Sequence, residues 1–345
     1  MASHLSHKAV SAIRPALAAY QRRGIPGAGE PREIAEVSKH SDPARVGGTD
    51  DPALRSGHRR NVDGVEDDVP DSEPLGGDLI DPRWTPPAID PTVATPARIY
   101  SYLLGGKDHF PADRAAAEKA LEAMPVRDFA RVNRAFLTRA VRHLAETGLD
   151  QFLDVGIGLP APGSTAETAL SVRPDARIVG VDNDPIVLAH ARAHGEEPAP
   201  SSATIVAGDV RRPAEILGNP EVRGRLDFDR PVAVLLVAVM HFVVDEDDPY
   251  GAVRTLMDAV APGSVLVLSQ VTADLDPEGM RATAKAYARS SVKTAVRSSQ
   301  EIAAFFDGLE PVDPGLVTLS RWRPDERVLA GDDRIGMFGG VALKP

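Results

Sequence analysis

The sequence has no cysteine, a small share of aromatic residues (5%) and no long apolar run. Without cysteine, disulfides, thiolate metal sites and cysteine nucleophiles are all excluded. No segment approaches the roughly 18 consecutive apolar residues of a membrane-spanning helix, and the first residues show no apolar stretch of signal-peptide type. These absences predict a cytoplasmic protein that does not contact a membrane.

Positive charge is also scarce, since 39 Lys and Arg face 50 Asp and Glu, for a formal net charge of −11. Affinity for nucleic acid depends largely on Lys and Arg, so we expect no nucleic-acid partner and favour a small-molecule one. The 345 residues, 43% of them hydrophobic, suffice for one large α/β domain with additional segments. The sequence does not indicate an oligomeric state.

Three regions differ in composition. Residues 1–90 are rich in proline, glycine, serine and charge and lack an apolar period, which predicts a disordered tail. Residues 91–149 predict a helical segment with helices at 113–124 and 128–147, the second of which ends at Gly148. Residues 150–345 form the predicted main domain.

In the main domain, predicted strands alternate with predicted helices, which is typical of right-handed βαβ units and a parallel sheet. The strands are expected at 151–155, 177–181, 204–207, 231–239, 264–270, 315–320 and 336–343. The helices are expected at 164–171, 185–194, 249–260, 276–294 and 299–306. Because no helix separates the last two strands, we expect an antiparallel edge. The predicted fold is a Rossmann-like three-layer α/β sandwich whose seven-stranded sheet is parallel except for its last strand.

The first predicted strand ends in a glycine loop that contains Asp154, Gly156 and Gly158. Glycines at such a position let the backbone approach a ligand closely, and the N-terminus of the following helix favours a negative group. Residues 156–161 also match the G-x-G-x-x-A dinucleotide pattern. The loop alone therefore fits NAD and S-adenosylmethionine (SAM) equally well.

Acidic residues also follow the next two strands. Asp182, followed by Asn183, can accept hydrogen bonds from ribose hydroxyls in either kind of site. Asp209, followed by Val210, can accept a bond from an adenine amino group, which is more typical of SAM sites. Either aspartate alone would be interpreted as a turn or helix-cap residue. Three acidic residues at successive strand ends instead predict one cofactor site that binds SAM.

Six further residues are candidates for this site. His241 follows the fourth strand and is a candidate general base, with packing as the alternative role. Before the main domain, Gly105 and Gly106 suggest that the backbone approaches another group closely. Lys107 suggests a positive charge that needs a partner. We predict that this segment forms a helical lid that also contributes to cofactor binding. The lid candidates are Tyr102, Gly105, Gly106, Lys107 and Asn133. No metal site is expected.

Several long motifs together resemble one known family. They lie at residues 102–108, 133–137, 151–156, 181–192, 231–236 and 305–309. On these motifs, residues 95–344 are similar to an actinobacterial family of SAM-dependent methyltransferases that was first catalogued as a domain of unknown function. The resemblance implies the class I methyltransferase fold and SAM as cofactor, without naming a methyl acceptor.

The expected function is thus a SAM-dependent methyltransferase that acts on an oxygen or nitrogen of a small molecule. Two alternatives remain open at the level of sequence. One is a SAM-binding regulatory protein without catalytic activity. The other is an NAD-dependent oxidoreductase, which only the G-x-G-x-x-A match supports.

Overall fold

The computed structural model describes residues 89–194, 203–287, 293–325 and 335–345, and helices and strands are numbered within these ranges. The tail predicted for residues 1–90 lies outside them except for its last two residues. The helix predicted at 276–294 is described up to residue 287 and again from residue 293.

Three helices precede the sheet: α1 (Pro96–Leu103), α2 (Pro111–Leu121) and α3 (Val126–Glu146). The helical segment is therefore present, and α1 is an element that the sequence did not predict. Proline occupies the first turn of α1, where its missing N–H costs no intrahelical bond. A buried ion pair of 3.0 Å between Arg98 and Asp113 then joins α1 to α2.

The main domain alternates strands and helices as expected. Its strands are β1 (Gln151–Val155), β2 (Arg177–Asp182), β3 (Thr204–Ala207), β4 (Ala233–Val237), β5 (Val265–Val271), β6 (Glu310–Pro311), β7 (Val317–Thr318) and β8 (Met337–Leu343). Its α-helices are α4 (Thr165–Val172), α5 (Pro185–His194), α6 (Pro213–Gly218), α7 (Pro220–Arg225), α8 (Pro249–Asp258), α9 (Pro277–Tyr287) and α10 (Ser299–Ala303).

The sheet has the order β3-β2-β1-β4-β5-β8-β6, and β7 also pairs with β8. β1 to β5 are parallel to one another, whereas β8 runs antiparallel to β5. This reversed strand confirms the arrangement expected from the missing crossover helix. The fold is the class I, Rossmann-like methyltransferase fold.

The edge of the sheet differs in detail from the prediction. Eight strands are present in the described ranges instead of seven, because β6 is an additional short strand; β6 and β7 pair with opposite ends of β8. The strand expected at 315–320 shortens to two residues and continues as a 3₁₀ turn at Leu319–Arg321. Strands of two residues are too short to show the alternation of apolar and polar side chains by which a strand is recognised in a sequence.

Both faces of the sheet are buried, so the structure has three layers. Alternate residues of a strand enter opposite cores: Phe152 and Leu235 pack with α1 to α4, whereas Leu153 and Leu236 pack with α6 to α8 and α10. Burial on both faces explains why the central strands are continuous apolar runs. No helix in the described ranges is both long and apolar enough to cross a membrane.

Candidate functional site

A cavity of about 540 Å³ lies at the carboxyl ends of the parallel strands. Its wall comes from α1 and α3, from the loops after β1 to β5 and from α9. Ligands of open α/β sheets bind at this edge, and the volume is that of a small-molecule site. Three acidic residues predicted from strand ends, Asp154, Asp182 and Asp209, all line it.

Asp154 is a buried residue of β1. Its carboxylate accepts a hydrogen bond of 2.6 Å from the hydroxyl of Thr165, the first residue of α4. Burial raises the pKa of Asp154 to about 6, although the Thr165 bond and the nearby Arg134 charge oppose that shift. A cationic group in the cavity would therefore favour the ionised form of this carboxyl.

Asp182 is the last residue of β2 and is also buried. It accepts backbone hydrogen bonds from Gly158 (2.8 Å) and Asp184 (2.9 Å), and burial raises its pKa to about 6. Asp184 accepts a bond of 3.0 Å from the backbone of Ile186 in the first turn of α5. Asp184 thus caps α5, and both Asp182 and Asp184 line the cavity.

The glycine loop is built differently from a dinucleotide loop. Gly156 has φ +82°, and a Cβ there would lie 2.2 Å from the side chain of Val239. The N–H groups of Gly156 and Ile157 donate to Val181, and that of Gly158 donates to Asp182. These amides are therefore engaged within the protein, while Gly156 and Gly158 themselves line the cavity, so a close approach of their backbone to a ligand stays a prediction. The next helix begins only at Thr165, well beyond the G-x-G-x-x-A match.

Asp209 follows β3 and is paired with a residue that the sequence analysis missed. Arg211 donates through Nε at 2.9 Å and also forms an ion pair through its terminal nitrogen, while Asn183 lies 3.4 Å away. Partial burial alone would raise the pKa of Asp209, but the bonds and charge of Arg211 outweigh it and lower the pKa. Asp209, Asn183 and the following Val210 all line the cavity.

His241 lies in a 3₁₀ turn after β4 (Met240–Phe242) and lines the cavity. Its ring contacts that of Phe242, with centroids 4.3 Å apart. Burial, together with the charge of Arg297, lowers the pKa of His241 to about 3. The imidazole is therefore neutral at pH 7, and its buried Nδ1 has no hydrogen-bond partner in the described part of the chain.

Asn133 lines the cavity from α3, but its side-chain amide is already engaged. Its Oδ1 accepts a bond of 2.6 Å from Ser269 in β5, and its Nδ2 donates to the hydroxyl of Tyr100 at 3.0 Å. These bonds attach α3 and α1 to the sheet. The sequence placed Asn133 at the site without revealing this bridging position.

The structure does not bring Tyr102, Gly105, Gly106 or Lys107 into the cavity wall, although Leu103 in the same segment lines the cavity. The hydroxyl of Tyr102 donates to Glu118, and its ring contacts His109 with centroids 5.0 Å apart. Gly105 has φ +85°, and a Cβ on Gly106 would collide with the Ser101 side chain at 2.3 Å. The two glycines therefore serve the turn after α1, and Lys107 is exposed.

Arg134 is a further residue of the site that was not among the predicted ligands. It lines the cavity from α3, with its guanidinium 5.6 Å from the centre of the Tyr100 ring. Its buried Nε has no partner among the described residues. The rest of the guanidinium is hydrogen-bonded to Tyr100, and Arg134 is a candidate for binding an anionic group of a ligand.

Charge is distributed unevenly around the cavity. We define the charged half of its wall by Arg134, Asp154, Asp182, Asp184, Asp209 and Arg211. We define the uncharged half by Val126, Phe129, His241, Phe242, Val271, Met280, Thr283 and Tyr287. Burial raises the pKa of Tyr287 to about 12, so both titratable residues of the uncharged half are neutral at pH 7. Within the described ranges, no group of three or more His, Asp or Glu could hold a metal ion.

Comparisons with known proteins agree with this fold. The sequence profile of a family described as S-adenosyl methyltransferase matches residues 82–345. A crystal structure of a DUF574-family protein from Streptomyces avermitilis is 42% identical, covers 73% of this chain and 98% of its own, and superposes with a TM-score of 0.69. A candidate methyltransferase from Thermobifida fusca is 39% identical, with 76% and 99% coverage and a TM-score of 0.70.

A comparison with curated proteins finds no significant match. The chain belongs to the S-adenosyl methyltransferase family. It is accordingly a methyltransferase whose cofactor is SAM, as the motifs indicated.

Proposed function

We propose that this methyltransferase acts on an oxygen or nitrogen of a small molecule that binds in the uncharged half of the cavity. The observation that carries the proposal is the position of two chemically different halves in one cavity at the carboxyl edge of the sheet. The charged half suits a charged nucleoside cofactor, and the uncharged half leaves an adjoining space for the acceptor. A cavity of about 540 Å³ also favours a small acceptor over a macromolecular surface.

The charged half fits the polar groups of SAM. The buried carboxylate of Asp182 would accept hydrogen bonds from the ribose hydroxyls, and Asp209 would accept one from the adenine amino group. The unpartnered Nε of Arg134 would donate to the methionyl carboxylate, while Asp154 would lie near the cationic end. When bound, SAM supplies a methyl group on a sulfonium sulfur.

His241 stays our candidate for contact with the acceptor, but its proposed role changes. A side chain with a pKa of about 3 is a weak base, so it removes a proton poorly from an alcohol or a phenol at pH 7. Its unpartnered Nδ1 can still form a hydrogen bond with an acceptor. Catalysis by this chain would then depend mainly on holding the acceptor atom in position.

Titration of the purified full chain with SAM, S-adenosylhomocysteine (SAH) and NAD tests the cofactor site. We expect binding of SAM and SAH without measurable binding of NAD. Incubation with SAM and a panel of small phenols and amines, followed by measurement of SAH, tests the acceptor class. Formation of SAH only with protein or RNA acceptors would contradict the proposal.

A further inference from the structure

The uncharged half of the cavity is unsuited to an ionic acceptor. Every Asp and Arg of the wall belongs to the charged half, and the wall contains neither Glu nor Lys among the described residues. Transferring an isolated ion from water to such surroundings costs several kcal/mol unless a counter-charge accompanies it. The charge nearest to His241 is that of Arg297, which is already paired with Asp245, so an ionised phosphate, carboxylate or ammonium group would find no unpaired counter-charge among the described residues of the uncharged half.

Much of the same surface is aromatic. The rings of His241, Phe242 and Tyr287 form a continuous row, with centroids 4.3 Å apart for the first pair and 6.5 Å for the second. Phe129 and Met280 complete the wall from α3 and α9. Aromatic rings and methionine sulfur both favour contact with another ring.

Two residues of this surface carry a buried polar atom that is not paired within the described ranges. The hydroxyl of Thr283 on α9 and Nδ1 of His241 are both buried without a hydrogen-bond partner among the described residues. Buried polar atoms are nearly always paired in folded proteins. Both residues line the cavity, so a side-chain rotation that turns either atom into the cavity would let a polar group of a bound molecule pair with it.

We propose that the methyl acceptor is an uncharged aromatic molecule whose hydrogen-bonding group lies toward Thr283 and His241. The inference rests on the proposed function, since it assigns the acceptor class of the same site. It excludes phosphorylated, carboxylated and cationic metabolites as acceptors.

Two fluorescent probes of the same ring system test this class. 1-Naphthylamine is uncharged at pH 7.5, whereas 5-aminonaphthalene-1-sulfonate adds a permanent negative charge. Both are titrated into the full chain with saturating SAH, after calorimetry has established whether SAH binds. We expect 1-naphthylamine to bind at least tenfold more tightly, and any smaller preference overturns the inference.

The two proposals fail in different ways. Absence of SAH binding contradicts the proposed function, and the probes are then compared without SAH. Normal SAH binding with no preference for the uncharged probe contradicts only the acceptor class.

A pair of neighbouring variants locates the probe. Thr283→Asp places a carboxylate in the uncharged half, whereas Ala282→Asp adds the same charge at an exposed position of the same helix. We expect Thr283→Asp to weaken binding of 1-naphthylamine at least tenfold and Ala282→Asp to change it less than twofold. SAH affinity should be unchanged in both variants. Equal losses of 1-naphthylamine binding in the two variants would overturn the proposed location of the probe beside Thr283.

Thr283→Val serves if the aspartate variant does not fold. It keeps the shape of the side chain and removes only the hydroxyl. We expect 1-naphthylamine to bind about fivefold more weakly, the effect of one lost hydrogen bond, while unsubstituted naphthalene binds as before. Unchanged affinity for 1-naphthylamine in this variant would overturn the proposed hydrogen bond between Thr283 and the amino group of the probe.

Discussion

The two halves of the cavity share one sheet edge but are built by different means. The charged half depends on contacts at the ends of neighbouring strands, such as the bonds from Gly158 and Asp184 to Asp182. The uncharged half combines residues far apart in the sequence, including Phe129 on α3 and Tyr287 on α9. The comparison suggests that cofactor binding is fixed by the sheet itself, whereas acceptor choice depends on the helices that cover it.

The largest expected effect is on the cofactor. Asp182→Ala removes the proposed acceptor of both ribose bonds, and bonds to a charged group are worth about 1.5–3 kcal/mol each. We therefore expect SAH affinity, measured by calorimetry, to fall about 100-fold or more. Asp258→Ala removes an exposed carboxylate at the end of α8 and is the control. A loss of less than threefold in Asp182→Ala would refute its role.

A matched pair of glycines separates the loop in the cavity from the loop outside it. Both Gly156 and Gly105 have positive φ, but only at Gly156 would a Cβ collide with a neighbour, Val239 at 2.2 Å. We expect Gly156→Ala to lower the free energy of unfolding by about 2–4 kcal/mol from strain and overpacking. Gly105→Ala should cost about 1 kcal/mol from backbone strain alone.

Urea unfolding measures both variants, and calorimetry then measures SAH affinity in each. Because Gly105 lies outside the cavity wall, we expect its substitution to leave SAH affinity within threefold. A larger loss in Gly105→Ala would instead support the predicted role of the segment from Tyr102 to Lys107 in cofactor binding.

The raised pKa values predict how pH acts on the charged half. Asp182 has a pKa of about 6 and accepts ribose bonds best when ionised, so SAH affinity should fall about tenfold between pH 7 and pH 5. Folding stability follows the opposite trend. Because the pKa of this carboxyl is higher in the folded protein, folding favours its protonated form. The stabilisation that the protonated carboxyl gives to the folded state is lost as pH rises from about 4 to about 6.

Calorimetry at the two pH values checks the prediction. Asp182→Asn cannot ionise and should flatten the dependence, leaving the part that comes from Asp154. Equal SAH affinity at pH 5 and pH 7 in the unsubstituted protein would show that Asp182 is not an ionised acceptor in the complex.

The smallest effect is expected in the uncharged half. General bases contribute roughly 10²- to 10⁴-fold to a rate, but a neutral His241 with a pKa of about 3 should contribute less than tenfold. We expect His241→Ala to lower turnover of a methylated test compound by less than tenfold and to leave SAH affinity unchanged. A fall of 100-fold would restore its role as base, and unchanged turnover would remove it from the reaction.

The positions of the acidic residues could be predicted because they follow from local patterns. Asp154, Asp182 and Asp209 each lie at or just after the end of a recognisable strand, and parallel strands bring their carboxyl ends to one edge. Two of these residues, Asp154 and Asp182, also lie in motifs on which the family resemblance rests. By contrast, nothing in the pattern of residues 277–287 showed that one face of α9 would complete a cavity.

The sequence by itself therefore determined the fold class, the reversed last strand and the sheet edge at which the three acidic residues meet, because each strand and its end are recognised from local patterns. Tertiary structure decided which side chains face the cavity. The bond between Ser269 and Asn133 spans 136 residues, and it places Arg134 and Phe129 over the sheet. Tertiary structure also left Tyr102, Gly105, Gly106 and Lys107 outside the cavity wall, since the direction of a turn depends on what it packs against.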